Sequence, residues 1–194
     1  MPARSVTGPV DSALVAAELE HLCRPDVSRR RASSAVQRIT VSLATQLRPT
    51  APPVLVPVLR AGAAMLPAAS TVLDYPQVCW ARAAKNKTAR TVQVAWHSAG
   101  RINPDAAVIL DVVLARGDTI VALVRHLRHH GYQGTVHVLA CYAAPEGVDQ
   151  VLTADQQVHL IIGQLADSVD AAGYVVPPTY GDIGSKLYGD IDQM

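Results

Sequence analysis

The sequence predicts an α/β fold in which a doubly wound, mostly parallel sheet is flanked by helices. Short apolar runs rich in β-branched residues recur along the chain, as expected for strands that are buried on both faces. Segments with the apolar period of a helix separate most of these runs, and such alternation is typical of parallel sheets. The length of 194 residues suits one domain that can bury a substantial core.

The clearest strand–helix unit lies between residues 106 and 131. Residues 106–110 are expected to form a buried strand ending at Asp111, and residues 112–118 a tight connection. The helix then starts near Thr119 and stops at Gly131. Its apolar face consists of Ile120, Leu123, Val124 and Leu127. Such a turn offers unpaired N–H groups and the positive end of a helix dipole to a phosphate, although many strand–helix units bind nothing there.

The N-terminal part of the chain is expected to be helical. Either Asp11 or Ser12 can cap a first helix that runs to about Leu22. A second helical pattern covers residues 28–47, and the Arg-Pro-Asp sequence at 24–26 breaks the chain between the two.

A second strand–helix junction follows these helices. Residues 54–58 are expected to form a strand, and residues 63–72 are compatible with a helix. Between them lie Arg60 and Gly62, a cation and a glycine at the point where a strand gives way to a helix. Pro57 argues against a central position for this strand unless it lies near the strand's end.

The remaining elements continue the alternation. Residues 78–82 and 91–96 are expected to be strands. The basic segment 84–88 between them could be a mobile arm over the site, but the pattern favours an ordinary hairpin loop. Further on, we expect strands at 135–142 and 158–162 with a helix between them at 145–152.

The C-terminal tail differs in composition from the rest of the chain. Residues 173–190 contain four glycines and two prolines, which predicts an ordered loop rather than a helix. Long structured loops are often functional.

Composition excludes several classes of protein. A net charge of +1 gives no general field for nucleic acid or an anionic membrane, and the basic run at 29–31 is best interpreted as a solvated helix face. Three widely spaced cysteines without metal spacing, and the lack of a signal-like or membrane-spanning segment, predict a reduced cytoplasmic protein. Cys141 lies in an apolar strand and is expected in the core.

Several familiar sites are also excluded. The helical spacing of His126, His129 and His130 would allow a metal, but no acidic or cysteine partner is near in sequence, so solvated histidines are favoured. The sequence has no GxSxG, P-loop, GxGxxG or HExxH motif, which removes the usual indications of nucleophile-elbow hydrolases, P-loop enzymes, dinucleotide binders and zincins.

Four motifs together resemble those of the uracil phosphoribosyltransferases, and the likeness covers about residues 54–189. The first is a strand followed by LRAG, at 56–62. The second, DVVLARGDT at 111–119, is similar to the family's DPMLATGGS, and AAPEG follows at 143–147. The fourth, at 174–189, is similar to the family's tail YIVPGLGDAGDRLFGT. One such match is weak evidence, whereas four in the same order are strong.

The resemblance implies transfer of a 5-phosphoribosyl group from phosphoribosyl diphosphate (PRPP) to uracil or a uracil-like base, giving UMP and pyrophosphate. It assigns catalytic roles to Arg60, Asp111 and Asp182. The implied PRPP-binding residues are Arg60, Arg82, Asp111, Val112, Val113, Leu114, Ala115, Arg116, Gly117, Asp118, Thr119 and Asp182. The implied base-binding residues are Val175, Gly181, Asp182 and Ile183.

The resemblance also suggests a domain organisation and partners. It implies one domain with N-terminal helices at 1–48, an α/β core at 54–165 and a base-binding tail at 170–194. Mg²⁺ is expected on the diphosphate of PRPP, with no side chain assigned as a dedicated metal ligand. Relatives associate through their helical N-terminal region and sheet edges, so we expect a homodimer.

Departures from the family pattern keep other functions open. Arg116 and Asp118 replace a threonine and a glycine, and Arg116 is expected to offset the aspartate by pairing with it or by binding phosphate. The tail carries one extra residue, Ile183 replaces an alanine, and the RxEET pattern expected near Arg82 is absent. The alternatives are a different or modified acceptor base, a non-catalytic sensor of PRPP or nucleotide, and a structural subunit.

Overall fold

The computed structural model describes residues 6–7, 12–86, 91–97, 106–171, 173–176 and 181–190. The helices are α1 (Ser12–Cys23), α2 (Arg29–Ala44), α3 (Leu66–Val72), α4 (Asp118–His129), α5 (Pro145–Ala154) and α6 (Ile183–Tyr188), with a 3₁₀ helix at Ala61–Ala64. The strands are β1 (Val6–Thr7), β2 (Val54–Leu59), β3 (Gln77–Val78), β4 (Trp80–Asn86), β5 (Thr91–His97), β6 (Ala106–Leu114), β7 (Thr135–Ala143), β8 (Val158–Leu165), β9 (Ser168–Val169) and β10 (Val175–Val176).

The predicted doubly wound sheet is confirmed. Its described strands follow the order β1-β8-β7-β6-β2-β4-β5, with β3 also paired to β2. All of these pairs are parallel except β4 with β5, which form an antiparallel hairpin whose connection, residues 87–90, lies outside the described residues. The chain winds outward from β6 through β7 to β8, and in the other direction from β2 to β4. The winding direction therefore changes between β2 and β6, where such sheets bind ligands.

Aliphatic side chains cover both faces of this sheet. One buried cluster joins the sheet to α1, α2, α3 and α6, and a second joins it to α4 and α5. Strand β2 supplies both clusters, with Leu55 in the first and Val54 and Val56 in the second. Alternate residues of a strand face opposite sides, so a strand buried on both sides has to be apolar throughout, as 54–59 is.

Pro57 lies in a central strand, which the sequence alone argued against. It pairs with Leu110 on β6, on one side of β2. On the other side, β3 pairs with residues 54 and 55 and β4 with residues 58 and 59. The missing N–H of proline thus falls where the neighbouring strand changes.

Strand β6 is longer than predicted. It continues past Asp111 to Leu114, because its ladder with β7 pairs Asp111 with Ala140 and Leu114 with Ala143. The expected connection at 112–118 was therefore wrong in its length, since only residues 115–117 separate β6 from α4. The segment 111–119, which resembles the family's DPMLATGGS motif, is therefore largely the end of a strand and the start of a helix.

The prediction that the tail contains no helix was also wrong. Helix α6 begins after Asp182, whose side chain accepts a hydrogen bond from the Ser185 N–H at 3.2 Å, and it ends at Gly189. Ahead of it, β9 and β10 form a two-stranded hairpin. The prediction failed because glycines were taken to exclude a helix. In the structure they lie at the ends of short elements or, in the case of Gly184, at a close contact.

His137 makes the stability of the folded protein sensitive to acid. His137 and His159 lie side by side on β7 and β8, with ring centroids 5.3 Å apart. Burial, and secondly the charge of His159, lower the pKa of His137 from 6.5 to about 4. The folded protein therefore keeps His137 neutral at pH values where the unfolded chain binds a proton, so this residue makes stability fall as the pH drops from about 6.5 to 4.

We expect His137→Asn to reduce that loss of stability. The measurement is urea unfolding at pH 7.5 and pH 5, with the exposed His129→Asn as the matched control. An unfolding free energy that falls equally in wild type and His137→Asn between the two values would contradict the assignment.

Candidate active site

A cleft of about 240 Å³ opens at the carboxyl ends of β2 and β6. Five of the residues assigned from the sequence line it: Arg60, Asp111, Val113, Thr119 and Asp182. Leu59, Ala83 and Gly184 complete much of the wall. The carboxyl ends of parallel strands meet at one edge of a sheet, which is why residues from distant motifs converge here.

Arg60 connects the β2 end of the cleft to the C-terminal tail. One guanidinium nitrogen, Nη1, donates a hydrogen bond to the carbonyl of Gly189 at 2.7 Å. The other, Nη2, lies 3.5 Å from Ser185 Oγ and 3.6 Å from Asp182 Oδ2. The Arg60 side chain remains 31% exposed, so an anion in the cleft can reach it.

Ser185 is a part of this arrangement that the sequence analysis missed. Its hydroxyl donates to Asp182 Oδ2 at 3.0 Å while its N–H is capped by the same carboxylate. The Asp-x-x-Ser spacing at 182–185 is the signal that would have revealed it. Gly184 lies close beside it: a Cβ there would be 3.3 Å from Arg60 Nη2 and 3.1 Å from Asp182 Oδ1, so these two side chains would have to shift by a few tenths of an ångström.

Asp111 lies on the other side of the cleft, beside a thiol. Burial, and secondly the nearby charge of Asp111, raise the pKa of Cys141 to about 12, although a hydrogen bond with Thr40 acts in the opposite direction. The thiol is therefore neutral at physiological pH and adds no negative charge next to Asp111. The prediction that Cys141 belongs to the core is confirmed, since it is fully buried.

The loop at 115–117 has the form expected of a phosphate cradle. Gly117 precedes α4 with a φ of +83°, a backbone conformation that residues other than glycine rarely adopt. No side chain forms a capping hydrogen bond at the start of this helix. The first N–H groups of α4 therefore point out of the helix at this turn. Val112 and Leu114 are buried in the core, so only their backbone can contribute to a ligand site.

The AAPEG segment forms the wall behind this loop. Gly147 lies so close that a Cβ on it would be 2.2 Å from the carbonyl oxygen of Ala115. In return, a Cβ on Gly117 would be 2.8 Å from the carbonyl oxygen of Gly147. The two glycines allow the loop and the start of α5 to touch through their backbones.

The two unusual residues of the loop have partners outside it. Asp118 Oδ1 accepts a hydrogen bond from Gln150 Nε2 of α5 at 2.8 Å. Arg116 Nη2 donates to the carbonyl of Ala171 at 3.3 Å, at the start of the tail. The expected compensation between Arg116 and Asp118 stays a prediction.

Other assigned residues are less completely placed. Arg82 is exposed on β4, opposite Leu59, and its neighbour Ala83 lines the cleft. In the tail, Val175 and Ile183 are buried and Gly181 is exposed, while the extra residue falls in 177–180, outside the described residues. The roles of Arg82 and of the base-binding residues remain predictions.

Comparison with known proteins agrees with the geometry. A family model described as uracil phosphoribosyltransferase matches residues 12–190. A uracil phosphoribosyltransferase of Kineococcus radiotolerans is 35% identical over 157 residues, which cover 77% of this chain and 72% of that protein. One from Aquifex aeolicus is 31% identical over 137 residues, which cover 70% of this chain and 64% of that protein.

Solved structures share the fold. The AQ2163 protein of Aquifex aeolicus superposes with a TM-score of 0.82 at 22% identity, over 95% of this chain and 98% of that one. A purine phosphoribosyltransferase of Pyrococcus horikoshii gives 0.52 at 18% identity, over 68% of this chain and 85% of that one. Because the family match runs from the start of α1 to just beyond α6 and includes every wall of the cleft, the chain belongs to the uracil phosphoribosyltransferase family.

Proposed function

We propose that the protein transfers the 5-phosphoribosyl group of PRPP to uracil and releases UMP and pyrophosphate. The observation that carries the proposal is the cleft itself, where Arg60, Asp111 and Asp182 lie around one cavity beside the loop at 115–117. The family to which the chain belongs supports uracil as the acceptor base.

The chemistry suits this distribution of charge. Departure of pyrophosphate places negative charge on the leaving group and positive charge on the ribose ring, so positioning and fixed charges can supply most of the catalysis. Arg60 is the cation on the pyrophosphate side, and Arg82 at the neighbouring strand end is a second candidate. Asp111 and Asp182 supply the negative charge that a cationic ribose ring requires. The backbone of the 115–117 loop and the start of α4 hold the 5-phosphate.

The donor set fits a magnesium ion bound together with PRPP. Asp111 and Asp182 bring carboxylate oxygens to the cleft, and Mg²⁺ is usually held by one or two carboxylates together with substrate phosphates. When bound, the ion would neutralise charge on the departing pyrophosphate. Arg60 orients the same group from the protein side.

We place the base at the tail. Val175, Gly181, Asp182 and Ile183 would contact it mainly through their backbone atoms, since Val175 and Ile183 have buried side chains. The hydrogen-bonding edge of a pyrimidine suits such contacts, because backbone N–H and C=O groups provide both donors and acceptors.

The decisive experiment measures pyrophosphate release from PRPP and Mg²⁺ in the presence of single bases. Release with uracil supports the proposal, and release only with another base moves the acceptor to that base. Binding of PRPP without release for any base would instead favour the sensor, and lack of any binding by calorimetry a structural role.

We also propose that the protein forms a homodimer. Light scattering at micromolar concentration is expected to give twice the mass of the 20.6 kDa chain. A monomeric mass would contradict this prediction.

No helix in the described part of the chain is long and apolar enough to span a membrane. The three cysteines are free thiols, which is consistent with the cytoplasmic location that we propose.

A further inference from the structure

The hairpin of β9 and β10 carries the chain from the core sheet to the proposed base-binding tail. Val175 pairs with Val169 across it, so the position of the hairpin determines that of Val175. Its turn is closed by Asp170, whose carboxylate accepts from the Tyr174 N–H at 2.8 Å and whose own N–H donates to the Tyr174 carbonyl at 2.8 Å. The hairpin is thus a small unit with its own internal hydrogen bonds.

Two side chains hold this hairpin from the side of the loop at 115–117, which we call the phosphate loop. Arg116, in the loop itself, donates to the carbonyl of Ala171 in the hairpin turn. Its guanidinium also lies against Gly173, where a Cβ would be 3.6 Å from Arg116 Cζ. Glu146, at the start of α5, accepts from the Val169 N–H at 3.4 Å. Arg116 thus contacts the turn of the hairpin, and Glu146 contacts strand β9.

Both side chains come from segments that are themselves locked together. The start of α5 touches the loop through Gly147 and Ala115, and Gln150 of α5 binds Asp118 at the start of α4. A fixed frame that holds the ribose 5-phosphate therefore also holds the hairpin that leads to the base.

We infer that Arg116 is a positioning residue which, with Glu146, fixes the β9–β10 hairpin relative to the phosphate loop and so sets the affinity for the acceptor base. The inference rests on the proposed function, which places the base at Val175 and beyond. It explains why a loop that binds a phosphate through backbone groups can carry a long side chain. The guanidinium extends to the hairpin, and the N–H groups of the turn remain for the anion.

Steady-state kinetics distinguish this role from phosphate binding. We expect Arg116→Ala and Glu146→Ala each to raise the KM for uracil about three- to tenfold, with the KM for PRPP changed less than twofold. Arg116→Lys and Glu146→Gln keep a donor and an acceptor, respectively, and should stay closer to wild type. Arg125→Ala, an exposed arginine on α4, is the matched control.

Two kinetic results would overturn the inference. A higher KM for PRPP in Arg116→Ala, with the KM for uracil unchanged, would make Arg116 a phosphate ligand. Wild-type values of both constants in Arg116→Ala would show that its contact with Ala171 positions nothing.

Hydrogen exchange tests the same contacts without turnover. In the protein free of substrates, the Gly173 and Tyr174 amides should exchange faster in Arg116→Ala than in wild type or Arg125→Ala, because the hairpin loses an anchor. Unchanged exchange would show that Arg116 does not hold the hairpin and would overturn the inference. If wild type shows no transferase activity but the exchange of these amides is faster in Arg116→Ala, the proposed function fails while the positioning role of Arg116 in the hairpin is supported.

Discussion

Replacing Gly147 by alanine is expected to weaken PRPP binding about tenfold and to lower the free energy of unfolding by about 1–3 kcal/mol, the usual cost of overpacking. The new Cβ would lie 2.2 Å from the carbonyl oxygen of Ala115 and 3.1 Å from that of Leu114. Both atoms are backbone, so the phosphate loop or the start of α5 has to move. The sign of the change in unfolding free energy is diagnostic, because replacing a glycine inside a helix by alanine otherwise stabilises the protein by about 1 kcal/mol.

Calorimetry with PRPP and Mg²⁺, together with urea unfolding, measures the two effects. Gly131→Ala is the control for adding a methyl group away from the cleft, since no atom outside its chain neighbours lies within 4 Å of the added Cβ, although its φ of +83° adds backbone strain. That variant should lose some stability from backbone strain and keep wild-type affinity for PRPP. A Gly147→Ala protein more stable than wild type, with the same affinity, would show that the loop does not depend on this contact.

The central part of the fold was predictable because its strands are buried on both faces. Residues 54–59 and 106–110 are continuous apolar runs, and parallel order then brings their carboxyl ends together. For that reason the amino-acid pattern alone assigns Arg60 and Asp111 to one edge of the sheet.

The end of β6 does not follow from the same pattern. Asp111 interrupts the apolar run and so resembles the end of a strand, yet the ladder with β7 continues to Leu114. Asp111 and Val113 line the cleft, whereas Val112 and Leu114 are buried. A strand that changes from two buried faces to one changes its pattern, and a carboxylate on the open face marks the site rather than the end of the strand.

The contacts between the tail and the end of β2 could not be predicted from sequence patterns. Gly189 is 129 positions from Arg60, and a hydrogen bond to a backbone carbonyl leaves no requirement on residue type. The helix that brings it there has only six residues, too few to show the apolar period of a longer helix. Its one local signal, the capping pair of Asp182 and Ser185, is outweighed by the glycines and prolines of the segment.

Arg60→Ala is expected to weaken PRPP binding by about 1.5–3 kcal/mol, roughly 10- to 150-fold, the scale of hydrogen bonds to charged groups. The guanidinium is the cation that the β2 end presents to the cleft, and it is accessible to an anion. Its removal also releases the tail, because the bond to the Gly189 carbonyl and the ion pair with Asp182 are lost together. We therefore expect a higher KM for uracil as well as for PRPP.

Calorimetry with PRPP alone isolates the first effect, and Arg60→Lys separates charge from geometry. Lysine keeps the positive charge but lacks the planar fork that spans Gly189, Ser185 and Asp182, so it should recover only part of the PRPP affinity and little of the uracil KM. Arg30→Ala, an exposed arginine on α2, controls for the loss of one charge. Should Arg60→Ala bind PRPP as tightly as wild type while the KM for uracil rises, Arg60 would be an anchor for the tail and not a ligand of the pyrophosphate.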